Sequence, residues 1–340
     1  MKRCSLFIVA FFIATLQFVQ AQSADSLRLY VQECVSVMQR QSLYSNKVDW
    51  QRVQDTVQRW LPQVNDARAA DELVIWVFDQ LQDYHGMYAG LDSSHRSKNP
   101  APDRVMSAGI LAAYKQPRAV KLAMLDGGIA YYKMPAVLIG SNQARMKEWA
   151  NLLMDSLCKL AALNPKAYII DLRMNNGGNS EPMWQVIRLL TGDANKPLAA
   201  DAAGHILPAD TSLATLQYQQ AAVPDRTCLV NGKVPVAVLI GPGTASSGEI
   251  MALAFTTRAR TRLFGEPSIG VGNATNGIVV HNKGYLLLTV NYMANARKKV
   301  LKSGTVTPQV YVSSAQDDFD NPPADPTVQA AHKWLLRQIR

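Results

Sequence analysis

The chain has 340 residues, 48% hydrophobic and 18% charged, a composition that is typical of a globular protein and excludes an intrinsically disordered one. Its 35 basic residues exceed its 26 acidic ones, but the densest basic cluster is only Arg297-Lys298-Lys299 with Lys302. So short a cluster predicts a solvated basic surface with a weak preference for acidic partners, and no nucleic-acid site.

The N-terminus, "MKRCSLFIVAFFIATLQFVQAQS", has the three parts of a secretory signal peptide. A charged head precedes an apolar stretch that is short for a membrane span, and small residues follow at the positions a signal peptidase reads. We therefore predict that residues 1–21 are removed by cleavage before Gln22. The mature protein would then be exported to the periplasm or cell envelope, or secreted, without a stable membrane span. An uncleaved anchor is the alternative.

Apolar residues spaced three and four apart predict helices between residues 24 and 83. The first two apolar faces consist of Leu27, Val31, Cys34, Val35 and Met38, and of Val53, Val57, Trp60, Leu61 and Val64. Asp49 is the expected N-cap of the second helix, and a third helix is expected in "AADELVIWVFDQLQ". These patterns predict an N-terminal helical domain at 22–92. The polar linker "GLDSSHRSKNPAPDR" leads into a second domain at 93–340.

Beyond the linker, continuous apolar strands alternate with helices. "KAYIIDLR" and "VPVAVLIG" read as buried strands, "GIVVHNKGYLLLTVNYMA" as a hairpin, and the C-terminal segment as a helix with Asp325 as its cap and Pro326 at its first position. This alternation predicts an α/β fold with a largely parallel sheet covered on both faces. Residues 193–230 are long and rich in alanine and proline, which favours a lid or binding loop.

Two strand-turn-helix units carry the candidate chemistry. "YIIDLRMNNGGNSEPM" contains Gly177-Gly178, and "VAVLIGPGTASSGEI" places Ser246 and Ser247 at the start of a helix. Both turns are expected at the carboxyl ends of parallel strands, where glycines allow close backbone approach and helix starts offer unpaired N–H groups. A tetrahedral acyl intermediate requires such donors. The alternative is that Ser246 only caps a helix and the glycines only form turns.

A serine nucleophile needs a base, which is commonly histidine or lysine. The histidines after the signal segment are His85, His95, His205, His281 and His332. We favour His85, because it lies in "LQDYHGMY" just after the third predicted helix, with Asp83 two residues before it. A histidine in a tight turn at a domain boundary can face a cleft, although a capping or packing role is the alternative.

The cysteines of the mature chain do not form a disulfide framework. Cys34, Cys158 and Cys228 are odd in number and widely spaced, so one pair with a free thiol and three unpaired cysteines both stay open. No cysteine and histidine cluster has the spacing of a zinc site. We therefore expect neither a structural metal nor a cofactor.

Taken in order, these segments resemble a known family. "DLRMNNGG" resembles the Asp-Leu-Arg-x-Asn-x-Gly-Gly signature of the tail-specific, or carboxyl-terminal processing, serine peptidases of family S41, which are related to the tricorn core and to retinoid-binding modules. "TASSGEI" resembles the nucleophile motif, in which the serine lies three residues before a glutamate, so Glu249 selects Ser246. "GEPSIGVGNATNG", "KGYLLLTV" and "GTVTPQVYV" follow in family order, and the resemblance covers about residues 45–312.

The resemblance implies a ClpP/crotonase-like spiral core of ββα units after the helical bundle, and an exported serine endopeptidase that cleaves peptide or protein substrates. Ser246 would be the nucleophile, and the N–H groups of Ser247 and of Gly177 or Gly178 would form the oxyanion hole. The residues expected to support the first turn are Asp171, Arg173 and Asn175.

The sequence departs from the family pattern in three places. Val271 stands where the bacterial processing enzymes carry a lysine base, which points instead to the branch with a histidine base and hence to His85. About forty residues separate His85 from the next strand, too few for the PDZ domain that many members carry. The segment "LKSGTVTPQV" has Lys302 near the place of a glutamate. The residue that orients His85 is therefore left open among Asp83, Glu249 and Glu266.

These departures leave a second function open. The alternative to an active peptidase is a catalytically impaired protein of the same fold that binds a peptide or another ligand. An esterase is a minor third reading, because the same groups cleave activated esters. The sequence leaves the substrate and the oligomeric state undetermined.

Overall fold

Helices and strands alternate along most of the chain. The computed structural model describes residues 24–97, 106–140 and 142–339, and the predicted signal peptide lies outside them. The helices are 24–41 (α1), Trp50–Trp60 (α2), Ala67–Gln80 (α3), Ala108–Tyr114 (α4), Gln143–Ala161 (α5), Ser180–Thr191 (α6), Leu213–Ala221 (α7), Ser247–Phe255 (α8) and Pro326–Gln338 (α9). In the described part of the chain, no helix has both the length and the apolar character needed to cross a membrane.

The strands are Met87–Ala89 (β1), Ser94–His95 (β2), Lys121–Leu125 (β3), Ile129–Lys133 (β4), Ala167–Asp171 (β5), Leu198–Ala200 (β6), Val236–Ile240 (β7), Thr261–Gly265 (β8), Ala274–Val280 (β9), Gly284–Ala294 (β10) and Val310–Tyr311 (β11). Short 3-10 turns lie at Ser45–Lys47, Leu61–Gln63, Asp193–Asn195 and Ser314–Gln316.

The first compact unit contains described residues 24–97 together with Thr275–Asn291. Helices α1 to α3 bury the predicted apolar faces, except that Trp60 is 43% exposed. The Asp49 carboxylate accepts a hydrogen bond from the Arg52 N–H, which confirms the predicted N-cap. Strands β1, β2 and β9 and the first part of β10 form an antiparallel sheet in this unit, so it is not purely helical. The reason is that a segment distant in sequence supplies strands that cover the apolar helices.

The hairpin between β9 and β10 follows the sequence prediction. Strand β9 pairs with β10, and both His281 and Asn282 have positive φ, of 50° and 53°. A tight turn of this kind requires left-handed backbone, which asparagine tolerates better than most residues. His281 lies in the turn itself, between the end of β9 and the start of β10.

The second compact unit contains the described residues between 106 and 274 and between 292 and 339. Its sheet has the order β11-β8-β7-β5-β4-β3, and every pair is parallel except β3 with β4. One apolar core packs α5, α6 and α8 on one face, and a second packs α9 on the other. The predicted α/β fold is confirmed. The antiparallel edge strand β3 was not predicted, because its sequence carries no clear alternation.

The segment 193–230 contains β6 and α7 and is attached to α5. Cys158 on α5 forms a disulfide with Cys228. Two further contacts hold Asp225, because Asn151 Nδ2 donates to its carboxylate at 2.6 Å and Lys147 Nζ lies 3.2 Å from it. Cys34 is buried and free. One pair with a free thiol is thus the arrangement present, of the two that the sequence left open.

Candidate active site

The two glycine-rich turns meet at adjacent strand ends. Strands β5 and β7 are neighbours in the parallel sheet, so the turns that follow them emerge side by side. The Ala245 N–H donates to the Asn175 carbonyl at 3.0 Å, and the Thr244 hydroxyl donates to the Leu172 carbonyl at 2.9 Å. These bonds fix the second turn against the first.

Ser246 lies where the two turns come closest. It is the N-cap of α8 and has φ +52°, a left-handed value that is uncommon for serine. A Cβ added at Gly177 would lie 2.7 Å from the Ser246 Cβ and 3.1 Å from its Oγ. Gly177 itself has φ +98°. Only glycine fits at this position, and its absence of a side chain brings the first turn up to the serine hydroxyl.

The backbone N–H groups near Ser246 differ in what they bind. The Gly177 N–H donates to the Asn175 side-chain oxygen at 3.0 Å. Among the described residues, the N–H groups of Gly178 and Ser247 have no acceptor. The Ser247 hydroxyl donates to the Gly178 carbonyl at 2.6 Å and so joins the two residues that carry these donors. Gly178 and Ser247 therefore offer the donors that a ligand oxygen can use.

Asn175 shapes the first turn from a fully buried position. Its side-chain nitrogen donates to the Pro135 carbonyl at 3.2 Å and lies 3.1 Å from the Met183 sulfur, while its side-chain oxygen accepts from Gly177. A buried amide with partners on both ends has one orientation. Asn175 therefore sets the direction of the peptide groups at Gly177 and Gly178.

Arg173 is buried and surrounded by carboxylates. Its guanidinium contacts Asp171 at 2.7 Å, Asp317 at 2.8 Å and Asp325 at 2.9 Å, and lies 4.7 Å from the centre of the Phe319 ring. Burial favours the neutral acid at Asp171, but Arg173 outweighs it and holds the pKa of that carboxyl below its usual value. Burial raises the pKa of Asp317 to about 6. The cluster joins the first turn to the C-terminal segment.

Sequence reasoning identified Asp171 and Arg173 but not Asp317 as members of this cluster, and it identified Asp325 only as a helix cap. Asp325 does cap α9, since it accepts from the Val328 N–H at 2.8 Å. No local pattern links residues 171–173 to residues near 320, so the sequence alone carries no signal for this ion pair.

Glu249 binds the start of its own helix and a distant segment. Its carboxylate accepts from the N–H groups of Ser246 at 2.8 Å, Gly270 at 2.7 Å and Val271 at 2.9 Å, and from the Ser268 hydroxyl. Burial raises the pKa of Glu249 to about 7. Its oxygens are therefore used to hold the backbone at Ser246 and at the Val271 position.

His85 lies in the first compact unit, in the turn that leads from α3 to β1. The fully buried Asp83 carboxylate accepts from the N–H groups of His85 at 3.2 Å and Gly86 at 2.9 Å. It also accepts from the Thr289 hydroxyl and N–H, both at 2.7 Å. Burial lowers the pKa of His85, and Asp83 offsets part of that effect. Asp83 thus fixes the backbone that carries the histidine.

The remaining candidates have local partners. His95 pairs with Asp79 at 2.8 Å, His205 lies 3.2 Å from Asp201, and the His332 ring lies 2.8 Å from the Asp126 carbonyl oxygen. Glu266 accepts from the Ser314 N–H at 2.8 Å. Within the described ranges, no group of histidine, cysteine and acidic side chains is arranged to hold a metal ion.

An α/β fold with a serine beside two N–H donors at adjacent strand ends has the arrangement with which serine peptidases bind an oxyanion. The chain belongs to peptidase family S41, whose profile matches residues 128–312, more than half of its length. The family resemblance predicted from the sequence is thereby confirmed.

Similar proteins agree with this assignment. A nisin-resistance protein of Lactococcus lactis subsp. lactis is 20% identical over 99% of this chain and 96% of its own length. Two solved structures share the fold. A lipoprotein from Streptococcus agalactiae has a TM-score of 0.68 and 17% identity over 91% of this chain and 96% of its own. The photosystem II D1 C-terminal processing protease has a TM-score of 0.57 and 14% identity over 87% and 95%.

Proposed function

We propose that the protein is an exported serine endopeptidase with Ser246 as its nucleophile. The observation that carries the proposal is the approach of Gly177 to the Ser246 hydroxyl, where a Cβ would lie 3.1 Å from the Oγ. A helix cap alone needs no second chain segment at that distance. A reacting carbonyl, in contrast, needs N–H donors for its oxygen, and the two turns offer those of Gly178 and Ser247.

Each group of the proposed mechanism has one task. The Ser246 Oγ attacks the peptide carbonyl carbon, and His85 accepts the hydroxyl proton and then gives it to the leaving amine. The Gly178 and Ser247 N–H groups bind the carbonyl oxygen as it gains negative charge. Gly177 is a poorer donor for that oxygen, because its N–H already binds Asn175. A water molecule then attacks the acyl-enzyme, and His85 accepts its proton and passes that proton to the Ser246 Oγ as the acid product leaves.

Two observations support export. The disulfide between Cys158 and Cys228 is a feature of proteins in oxidising compartments. The similar structure from Streptococcus agalactiae is called a lipoprotein, and the relative from Lactococcus is named for nisin resistance. Nisin is therefore a defined compound to test first.

We further propose that residues 193–230 act as a lid over the substrate, because the disulfide fastens them to α5 in the second compact unit, which also carries Ser246.

One observation favours the second candidate, an impaired ligand-binding protein. Val271 occupies the place of the family lysine, and its backbone N–H binds Glu249 at 2.9 Å. No side chain at that position can then act as a base, so catalysis depends on His85.

A fluorophosphonate probe separates the two functions, because it labels only an activated serine. We expect the wild-type mature protein and Ser247→Ala to be labelled and Ser246→Ala not. His85→Ala should slow labelling by about 10²- to 10⁴-fold, the usual contribution of a general base. Equal labelling of wild type and Ser246→Ala excludes this nucleophile. Labelling that is absent from the wild type, with no cleavage of nisin or of a broad peptide library, favours the binding protein.

A further inference from the structure

A small pocket lies beside the two glycine-rich turns in the second compact unit. Its walls come from the end of α4 and the residues that follow, from the end of β4, and from the first turn. Two cations, Arg118 and Lys133, face it, and the described residues that line it include no carboxylate. Neither cation has a role in the mechanism proposed above.

The pocket is connected to both turns by direct contacts. On one side, Met174 is part of the first turn, and the Pro135 carbonyl accepts from the Asn175 side chain at 3.2 Å. On the other side, the Tyr114 hydroxyl donates to the Gly243 carbonyl at 3.0 Å, three residues before Ser246. An extended peptide advances about 3.3 to 3.6 Å per residue. Gly243 and Ser246 are three residues apart, so at most about 11 Å of chain separates this contact from the serine, a span that three or four residues of an extended peptide cover.

Lys133 is a half-buried ammonium without a matching anion. Among the described residues, no carboxylate oxygen lies within ion-pair distance of its Nζ, which lies 5.8 Å from the centre of the Phe319 ring. Asp171 lies opposite it in the register of β4 and β5, but the oxygens of that carboxylate bind Arg173 and Tyr131. Burial lowers the pKa of Lys133, and the nearby cations Lys121 and Arg173 add to that effect, while Asp171 and, more weakly, Asp320 offset part of it. An ammonium that has lost water without gaining an anion is stabilised by any anionic ligand that reaches it.

The size of the pocket limits the group that fits. Its volume is about 30 Å³, which is room for about two water-sized groups. A carboxylate has two oxygens and matches that space. Arg118 is exposed at the rim and adds a planar guanidinium, whose geometry suits a carboxylate.

We propose that this pocket binds a carboxylate of the peptide substrate, and that Lys133 and Arg118 determine that specificity. The inference rests on the proposed peptidase function and names the class of substrate for the same site. The carboxylate belongs either to a glutamate or aspartate side chain or to the C-terminus of the peptide, and the two sources share the same chemistry.

Matched synthetic peptides test the inference and separate the two sources. Each peptide is prepared with glutamate or glutamine at every position in turn, and each with a C-terminal acid or a C-terminal amide. The readout is the ratio of kcat/KM between the charged and the neutral member of a pair, measured by mass spectrometry, so a general loss of activity cancels. We expect the wild type to prefer one charged set by about tenfold or more, mainly through KM.

Variants assign the preference to the pocket. Lys133→Met keeps the aliphatic stem and should bring the ratio of kcat/KM close to 1. Lys133→Arg keeps the positive charge and should retain a high ratio. Arg118→Gln should reduce the ratio. Lys333→Met, an exposed lysine of α9, should leave it unchanged. A wild type whose Ser246 is labelled but which treats charged and neutral peptides alike overturns the pocket and leaves the peptidase standing. A preference that Lys133→Met and Arg118→Gln both retain overturns it as well. Failure of the wild type to label counts against the peptidase itself.

Discussion

The Ser246 N–H donates to the Glu249 carboxylate at 2.8 Å, and the same carboxylate accepts from the backbone of Gly270 and Val271. One buried side chain thus holds both the start of α8 and the backbone at Val271, the position at which the sequence pattern of the family has a lysine. The glutamate that identifies Ser246 in the sequence motif has a physical task, because it fixes the backbone of the serine three residues before it.

We expect Glu249→Gln to reduce both stability and reactivity. The amide nitrogen of glutamine would face N–H donors that now bind a carboxylate oxygen, and leaving such donors unsatisfied costs about 1–3 kcal/mol. Displacement of Ser246 should slow fluorophosphonate labelling by about tenfold to a hundredfold. The measurements are urea unfolding and labelling rates. Glu148→Gln, an exposed glutamate on α5, is the matched control. Equal effects of the two changes would contradict this role for Glu249.

Gly177→Ala should be far more damaging than alanine at another glycine of positive φ. Gly192 has φ +78° and ψ 151°, a region that is populated almost only by glycine, and nothing lies within 4 Å of an added Cβ, so Gly192→Ala costs the backbone strain alone, about 1–3 kcal/mol. At Gly177, which also has positive φ, backbone strain is joined by a contact of 2.7 Å with the Ser246 Cβ. Labelling of Ser246 should be lost in Gly177→Ala and kept in Gly192→Ala. Similar labelling of both variants would show that the two turns are not in contact in solution.

Arg173→Met should destabilise the protein by about 3–5 kcal/mol, since it leaves the buried carboxylates of Asp171, Asp317 and Asp325 without their cation. The exposed pair between Arg68 and Glu72 supplies the comparison. Arg68→Met should cost no more than about 1 kcal/mol. Urea unfolding of both variants measures the difference, and equal costs would be inconsistent with a buried ion cluster.

The disulfide should account for much of the resistance to unfolding. A bridge across 70 residues stabilises a protein by about 4 kcal/mol in the chain-entropy account. A reductant should therefore lower the urea midpoint of the wild type and of Cys34→Ala, but not that of Cys228→Ser. If the reductant also shifts Cys228→Ser by the same amount, the bridge between Cys158 and Cys228 is not the group responsible.

The rate of fluorophosphonate labelling should fall in acid, with a midpoint below pH 6.5. A general base must be neutral, and burial disfavours the charged form of His85, so its pKa lies below the ordinary histidine value of 6.5. The rate of labelling should rise with pH through that midpoint and be level by neutrality. His95→Gln, which removes the partner of Asp79, should leave the midpoint of this pH dependence unchanged. A midpoint well above 6.5 would point to another base.

The local elements were predictable where one short segment determines them. The caps at Asp49 and Asp325, the hairpin at Asn282 and the strand-turn-helix units around Gly177 and Ser246 each follow from residues next to one another. The parallel sheet was also accessible, because a strand buried on both faces is apolar throughout.

The rest depends on contacts between residues distant in sequence. Pairing of Cys158 with Cys228 is decided by the approach of α5 to the insertion, and the ion cluster of Arg173 by the return of the C-terminal segment. The choice of Gly178 over Gly177 as the free donor depends on the orientation of the Asn175 side chain. No periodicity or residue spacing in the sequence indicates the disulfide, the ion cluster or the free N–H group of Gly178.

The amide of Asn179 has a consequence for how this protein can diversify. Its nitrogen donates to the Gly140 carbonyl at 2.8 Å and lies 3.3 Å from the Tyr218 hydroxyl on α7, while its neighbour Gly178 carries one of the free amide donors. The insertion is thus fastened at Tyr218 as well as at Cys228. We therefore expect changes confined to residues 193–230 to act on the first turn through Tyr218 and Asn179, while the residues of both glycine-rich turns keep their own amino acids.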